Sequence, residues 1–168
     1  MNIAHVSRHN QKGYKMSSKK MQGFTLIELI VVIIILGILA ATALPRYAAL
    51  QTNARIAKLN GALGAMKGAS ALAHAACLTT TPECTATVTM EGATIDMINK
   101  YPQANATGIF SAAGMSTNDF STTGGGPLVT DVLTIEVPGN VPANCSFTYT
   151  PAGAGGSPAF SVPVTTGC

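Results

Sequence analysis

One carboxylate sits where a charge is costly. Glu28 is the only charged residue in the apolar run from Phe24 to Leu44. A lone carboxylate in a segment of membrane length marks function by default. Its chemistry is that of a fixed negative charge, able to neutralise an amine in a low-dielectric setting or to lie back toward lipid headgroups. Four cysteines, Cys77, Cys84, Cys145 and Cys168, offer either disulfide or thiolate chemistry. In an exported chain they imply two disulfides with three possible connectivities. His74, the one histidine after Gly23, suggests a metal set with Cys77 and Cys84. Such a set needs thiolates in a reducing compartment and a fourth ligand, so no metal is expected. Asp96, Asp119 and Asp131 fall in separate segments without an identifiable partner. No glycine-rich phosphate loop precedes a helix, and no Ser-His-Asp set is available. The chain does not read as an enzyme, and no catalytic residue or cofactor is expected.

The elements that must position Glu28 follow from charge and periodicity. Arg8, Lys12, Lys15, Lys19 and Lys20 precede Gly23 with no acid among them, whereas five bases and seven acids follow it. The basic character therefore belongs to an N-terminal tail, which argues for a positive-inside signal and against a nucleic-acid-binding body. The 21 residues from Phe24 to Leu44 would span roughly 32 Å as a helix, about one hydrocarbon core. Ala40-Ala41-Thr42-Ala43 resembles a signal-peptidase site, but the pattern continues as helix beyond Arg46. Ile56, Leu59, Leu63, Met66, Ser70, Ala73 and Cys77 recur at 3,4 spacing, with Arg55, Lys58 and Lys67 off that face. The expectation is one long helix, lipid-like first and amphipathic later, kinked at Pro45. Gly37, Gly61, Gly64 and Gly68 add soft points.

Gly23-Phe24-Thr25-Leu26-Ile27-Glu28, preceded by lysines and followed by the apolar helix, resembles the signature of the type IV prepilin family. The resemblance implies that a prepilin peptidase cuts between Gly23 and Phe24 and methylates the new Phe24 amine. It implies that the subunit waits in the bacterial inner membrane until assembly machinery adds it to an extracellular filament. Pro45 falls where the family has a helix-bending proline. In a bundle of helices, the positive Phe24 amine of one subunit would be neutralised by Glu28 of its neighbour. Met16 opens a compact basic leader of the family's kind, so Met1 to Lys15 reads as an over-long gene start, with Met21 a further alternative.

After Cys77 the composition turns to Thr, Gly, Pro, Ser and Val. TATVTM reads as a short strand and GATIDMINKYP as a short helix stopped by Pro102. The stretch from Asn105 to Pro127 reads as loop. Three alternating strands follow, with inward sets Leu133, Ile135, Val137; Cys145, Phe147, Tyr149; and Phe160, Val162, Val164. One antiparallel sheet covered by the amphipathic half of the helix gives an α+β fold, the pilin-like arrangement. ATIDMINKYPQANATGIFSAAG is similar to the corresponding stretch of mannose-sensitive haemagglutinin type pilins, with Lys100 where that group has a glycine before Tyr-Pro. The implied division is a leader over 1–23, an apolar helix over 24–45, its amphipathic half over 46–77, a connecting region over 78–127, and a sheet with disulfide-closed C-terminus over 128–168.

Sequence proximity and the family's disulfide-closed C-terminal region favour Cys77–Cys84 and Cys145–Cys168. The second loop would be stabilised by roughly 3 kcal/mol through loop closure. Asn105-Ala106-Thr107 and Asn144-Cys145-Ser146 match the glycosylation pattern by coincidence. The function the resemblance implies is a self-polymerising pilus subunit serving adhesion, surface motility or DNA uptake. The alternative is a pseudopilin of a type II secretion system.

Overall fold

The computed structural model describes residues 23–80, 84, 86–139 and 141–168. The basic leader, with its candidate starts, and most of the segment between Cys77 and Cys84 lie outside the described residues. The chain forms two compact units, one ending at Thr42 and one running from Ala43 to Cys168.

A single helix, α1, spans Leu26–Thr80 and contains Pro45. Ala, Leu and Ile make up more than half of its residues, and Ala and Leu are strong helix formers. Its last turn is tied off by the Thr79 and Thr80 hydroxyls, which both donate to the Ala76 carbonyl. Every residue from Gly23 to Thr42 is exposed, so the described part of the first unit buries nothing. In the second unit, α1 buries Leu59, Ala62, Met66, Ala69, Ser70, Ala73 and Cys77. The expected seam is thus right in period but shifted, because Ile56 and Leu63 are only half-buried while Ala62 and Ala69 are covered. Alanine at those two positions allows the backbone of the sheet region to come close.

Two antiparallel sheets replace the single one expected. The first has the order β1 (Thr87–Met90), β2 (Ala93–Ile98), β3 (Tyr101–Pro102). The second has the order β4 (Ser121–Gly124), β5 (Leu133–Glu136), β6 (Ser146–Thr150), β7 (Ala159–Phe160). The short helix expected in GATIDMINKYP is β2 and β3. Met90 pairs with Ala93 across Glu91-Gly92, and Ile98 pairs with Tyr101 across Asn99-Lys100. All four loop residues have positive φ, between 48° and 84°, which is the two-residue turn that matches strand twist. Ile95 and Met97 then face inward with period two. The segment expected as loop holds β4 and a π-helical turn, Ala106–Phe110. That turn is capped by the Asn105 side chain, which accepts from Gly108 N at 2.6 Å, and it delivers Ile109 and Phe110 to the core. Of the third alternating set, Phe160 lies in β7 and Val164 makes an isolated bridge to Ser146 of β6, whereas Val162 is 85% exposed. Pro158 and Pro163 flank it, and proline supplies no ladder donor.

The larger core joins Leu59, Ala62 and Met66 of α1 to Leu133, Ile135, Phe147 and Tyr149 of the second sheet. A smaller one joins Ala73 and Cys77 to Cys84, Val88, Ile95 and Met97. Each large side chain so buried contributes about 1.5–3 kcal/mol. Tyr149 links the two sheets, its hydroxyl donating to the Pro102 carbonyl at 2.7 Å. Burial pushes the Tyr149 phenol well above its ordinary range, a shift the Ser70 hydroxyl opposes and Tyr101 reinforces. The folded phenol keeps its proton where the unfolded one loses it, so stability falls as pH rises above about 10. Tyr149→Phe should cost about 1–3 kcal/mol at neutral pH by leaving the buried Pro102 carbonyl without its donor. It should also flatten the alkaline loss. Denaturant unfolding of the purified chain at pH 7 and above pH 10 checks both.

Candidate functional site

The site at the head of α1 is built by Thr25 and Glu28. Thr25 precedes the first helical residue and caps it. Its hydroxyl oxygen accepts from the Glu28 N–H at 3.3 Å, and Glu28 Oε2 accepts from the Thr25 N–H at 3.4 Å. The Thr25 hydroxyl also donates to Glu28 Oε2 at 3.5 Å. This is a reciprocal capping box, in which a Thr and a Glu three residues apart satisfy two N–H groups left open at a helix start. Phe24, immediately before it, is 89% exposed. A negative side chain in this first turn is also favoured by the helix dipole. The three-residue spacing of Thr25 and Glu28 is the signal by which the sequence carries this cap. Gly23 has nothing within 4 Å of the position a Cβ would take.

The cysteines form two bonded pairs. Cys77 is joined to Cys84, with Cα atoms 5.2 Å apart, and Cys145 to Cys168, with Cα atoms 4.8 Å apart. All four are buried. The second pair is reinforced by a long-range clamp, in which Arg55 Nη1 of α1 donates to the Cys168 carbonyl at 2.9 Å. Gly139 makes room for it, because a side chain there would run into the Arg55 guanidinium. Gly167 adds a donor to the Asn144 carbonyl at 2.9 Å and an acceptor for Val141 N–H at 3.3 Å.

The other titratable residues have structural partners. His74 lies with its ring parallel to Tyr101, centroids 4.1 Å apart, and its Nδ1 is 2.8 Å from the Lys100 carbonyl. Asp119 pairs with Lys58 at 3.0 Å on the surface, an interaction of small weight. Lys58 also lies over the Phe120 ring at 4.8 Å. Asp96 accepts from the Thr107 hydroxyl, and Asp131 accepts from Leu128 N–H at 2.7 Å to close a turn. Asn105, the first glycosylation-pattern asparagine, spends its side chain on Gly108 N and Gln103 Oε1. Among the described residues no three His, Cys, Asp or Glu side chains gather as a metal set.

Head and body together define a class: a small disulfide-closed α+β domain carried on a helix long and apolar enough to cross a membrane, with a capped carboxylate at its start. Residues 18–44 match the family model described as the prokaryotic N-terminal methylation motif. The chain is 38% identical over 104 residues to the fimbrial protein EcpB of Eikenella corrodens, covering 60% of this chain and 65% of that protein. It is 46% identical over 52 residues to the type IV narrow pilus major component PilA5 of Thermus thermophilus, covering 31% of this chain and 45% of that one. No solved structure gives a significant match. The chain thus carries an N-terminal methylation motif and is similar to these pilus proteins, spanning less than two thirds of the length of either.

Replacing Cys168 with Ala should cost about 2–5 kcal/mol, because it opens the loop back to Cys145. It should also loosen the carbonyl held by Arg55. Denaturant unfolding of the variant beside the parent, both non-reduced, measures the difference. A loss no larger than that of Arg55→Ala would show that the clamp, not the covalent bond, holds this end.

Proposed function

We propose that the chain is the structural subunit of a type IV pilus. The observation that carries this reading is that the apolar part of α1, up to Leu44, is exposed throughout and has its single charge, Glu28, in the first turn, close after Phe24. In this reading prepilin peptidase cuts between Gly23 and Phe24 and methylates the freed amine. The helix holds the subunit in the bacterial inner membrane, and the assembly machinery adds it to a homopolymer that leaves the cell as a fimbrium. The names of the two relatives, a fimbrial protein and a pilus major component, support it. Adhesion, surface motility and DNA uptake are the roles such a fibre would serve.

The mechanism rests on what Glu28 can do that no other residue of the segment can. Once extracted from lipid, the apolar face must be covered by the same face of other subunits, because water would not solvate it. The positive Phe24 amine of an incoming subunit then enters a low-dielectric bundle, where an uncompensated charge is costly. Glu28 of an assembled neighbour supplies the counter-charge and sets the axial register. The capping box holds that carboxylate on the helix axis until the amine arrives. The Thr25 N–H and hydroxyl, both donating to Glu28 Oε2, keep the carboxylate of the free subunit hydrogen-bonded.

Two outcomes are expected. Intact mass and N-terminal sequencing of purified material should find a chain beginning at methylated Phe24. A chain beginning near Arg46, as a signal peptidase would leave, would overturn the reading. Glu28→Gln keeps the shape of the side chain and removes its charge. In cells lacking the native subunit, processing and membrane insertion should persist while surface fibres fall by about tenfold or more, the factor that 1.4 kcal/mol gives. Sheared fibres quantified against the membrane pool by immunoblot read this directly. Unchanged fibre yield would reduce Glu28 to a capping residue.

A further inference from the structure

An apolar hole opens on one flank of α1 in the second unit. It is a groove of about 520 Å³ between α1 at Gly68 and Leu72, the β1–β2 hairpin at Met90 and Ala93, and the stretch 111–114, with Ile95 in its lining. Its walls are small or aliphatic, and the Met90 side chain adapts to what it touches. A Cβ on Gly68 would meet nothing within 4 Å. Glu91 is the one charged residue of the lining. Among the described residues it has no ion-pair partner, whereas Lys58, on the same flank of α1, is held by Asp119 at 3.0 Å. Glu83 is the one charge among the undescribed residues after the leader, so none of them brings a cation to Glu91.

The other flank carries a knob. Val162, at 85%, is the most exposed large apolar side chain among the described residues of the second unit. Its backbone is fixed on both sides. Ser161 N donates to the Thr148 carbonyl at 3.0 Å, and Val164 N to the Ser146 carbonyl at 2.8 Å. Between those anchors Pro163 has a fixed φ and confines Val162 to extended backbone. An apolar side chain on a pre-set backbone gives up little entropy on docking. Lys67 stands beside this edge, its Nζ 5.8 Å from the Phe160 ring centroid. Glu136, the one acid of the second sheet, turns to the Ser121 and Thr123 hydroxyls. Glu83 is three residues beyond Thr80, whereas thirteen residues of helix, roughly 20 Å, separate Thr80 from Lys67. Around the helix, Lys67 projects about 150° from the mean direction of Ala65, Gly68, Ala69 and Leu72, which border the groove. Hole with anion and knob with cation therefore lie on opposite flanks, out of reach of each other within one subunit.

Resting on the pilus reading, we infer that Val162 of one subunit seats in the groove of the next, with Lys67 of the first opposite Glu91 of the second. Two different patches on one subunit make a heterologous contact, which builds an open fibre when the rotation does not close a ring. Val162 and the groove lining leave water together. The charge pair at the rim fixes the register and rejects the reversed docking, which would set like charges together.

The test measures sheared fibres against the membrane pool for full-chain variants in cells lacking the native subunit. Val162→Asp should lower fibre yield by about tenfold or more, because a charge is costly in an apolar hole. Gly68→Leu fills the groove from within its own subunit, and leucine is the better helix former. The melting temperature of the purified variant should therefore hold or rise while its fibres fall to the same degree. Lys67→Glu and Glu91→Lys should each weaken assembly, and the two together should recover it. Val162→Cys with Leu72→Cys in one chain should give an oxidised ladder of dimers and longer multimers from fibres, and neither single variant should. Parent-level fibres from Val162→Asp and Gly68→Leu, no recovery by the double charge reversal, or fibres of the double-cysteine chain without a ladder would overturn the contact and leave the pilus reading standing. A parent chain that makes no fibre would overturn that reading and the contact with it.

Discussion

Everything in this protein depends on a helix whose first part has no protein around it. A backbone segment that must sit in lipid has to satisfy its own hydrogen bonds, and a helix does so everywhere except at its ends. In α1 the exposed start falls at the edge of the apolar run, and Thr25 and Glu28 close two of its open donors. The one charge in the segment is therefore tolerated because it is already bonded to the helix it belongs to. The same carboxylate remains available to a stronger partner, since an N–H group at 3.4 Å competes poorly with an ammonium in a dry bundle. In the proposed assembly, capping and neutralisation of the Phe24 amine would be two successive uses of one side chain.

The second unit meets the opposite demand. It must fold around the later part of α1 with few large side chains and almost no buried charge. Small residues on the helix let the sheets approach closely, and the two disulfides hold what a modest core holds weakly. The sparse charges are spent one by one on local tasks. Arg55 holds the Cys168 carbonyl, Asp131 closes a turn, and Lys58 bridges α1 to Asp119. Among the described residues none of them gathers with others into a set of three His, Cys, Asp or Glu.

Lys100 departs from this economy. A glycine would relax its turn. Here the turn accepts a left-handed lysine while its neighbours Asn99 and His74 pin the backbone from both sides. Among the described residues, Lys100 is the one lysine held at a positive φ.

The sequence by itself determined the long helix, its division into apolar and amphipathic parts, and the processing signature Gly23 to Glu28. These are local properties: periodicity over many turns and a contiguous motif survive without knowledge of the rest of the chain. The inward positions of β5 and β6 were legible for the same reason, through strict alternation from Leu133 to Val137 and from Cys145 to Tyr149. What only the tertiary structure decided depends on partners distant in sequence. ATIDMI reads as well in a helix as in a strand until its pairing with TVTM, across two positive-φ residues, decides for the strand. Val162 alternates correctly yet stays outside the sheet, because the flanking prolines withhold the donors that pairing requires. Arg55 with Cys168, Tyr149 with Pro102, and His74 with Lys100 meet across gaps of 113, 47 and 26 residues. No local pattern encodes such meetings, since they exist only once two sheets and a helix have been brought together around a shared core.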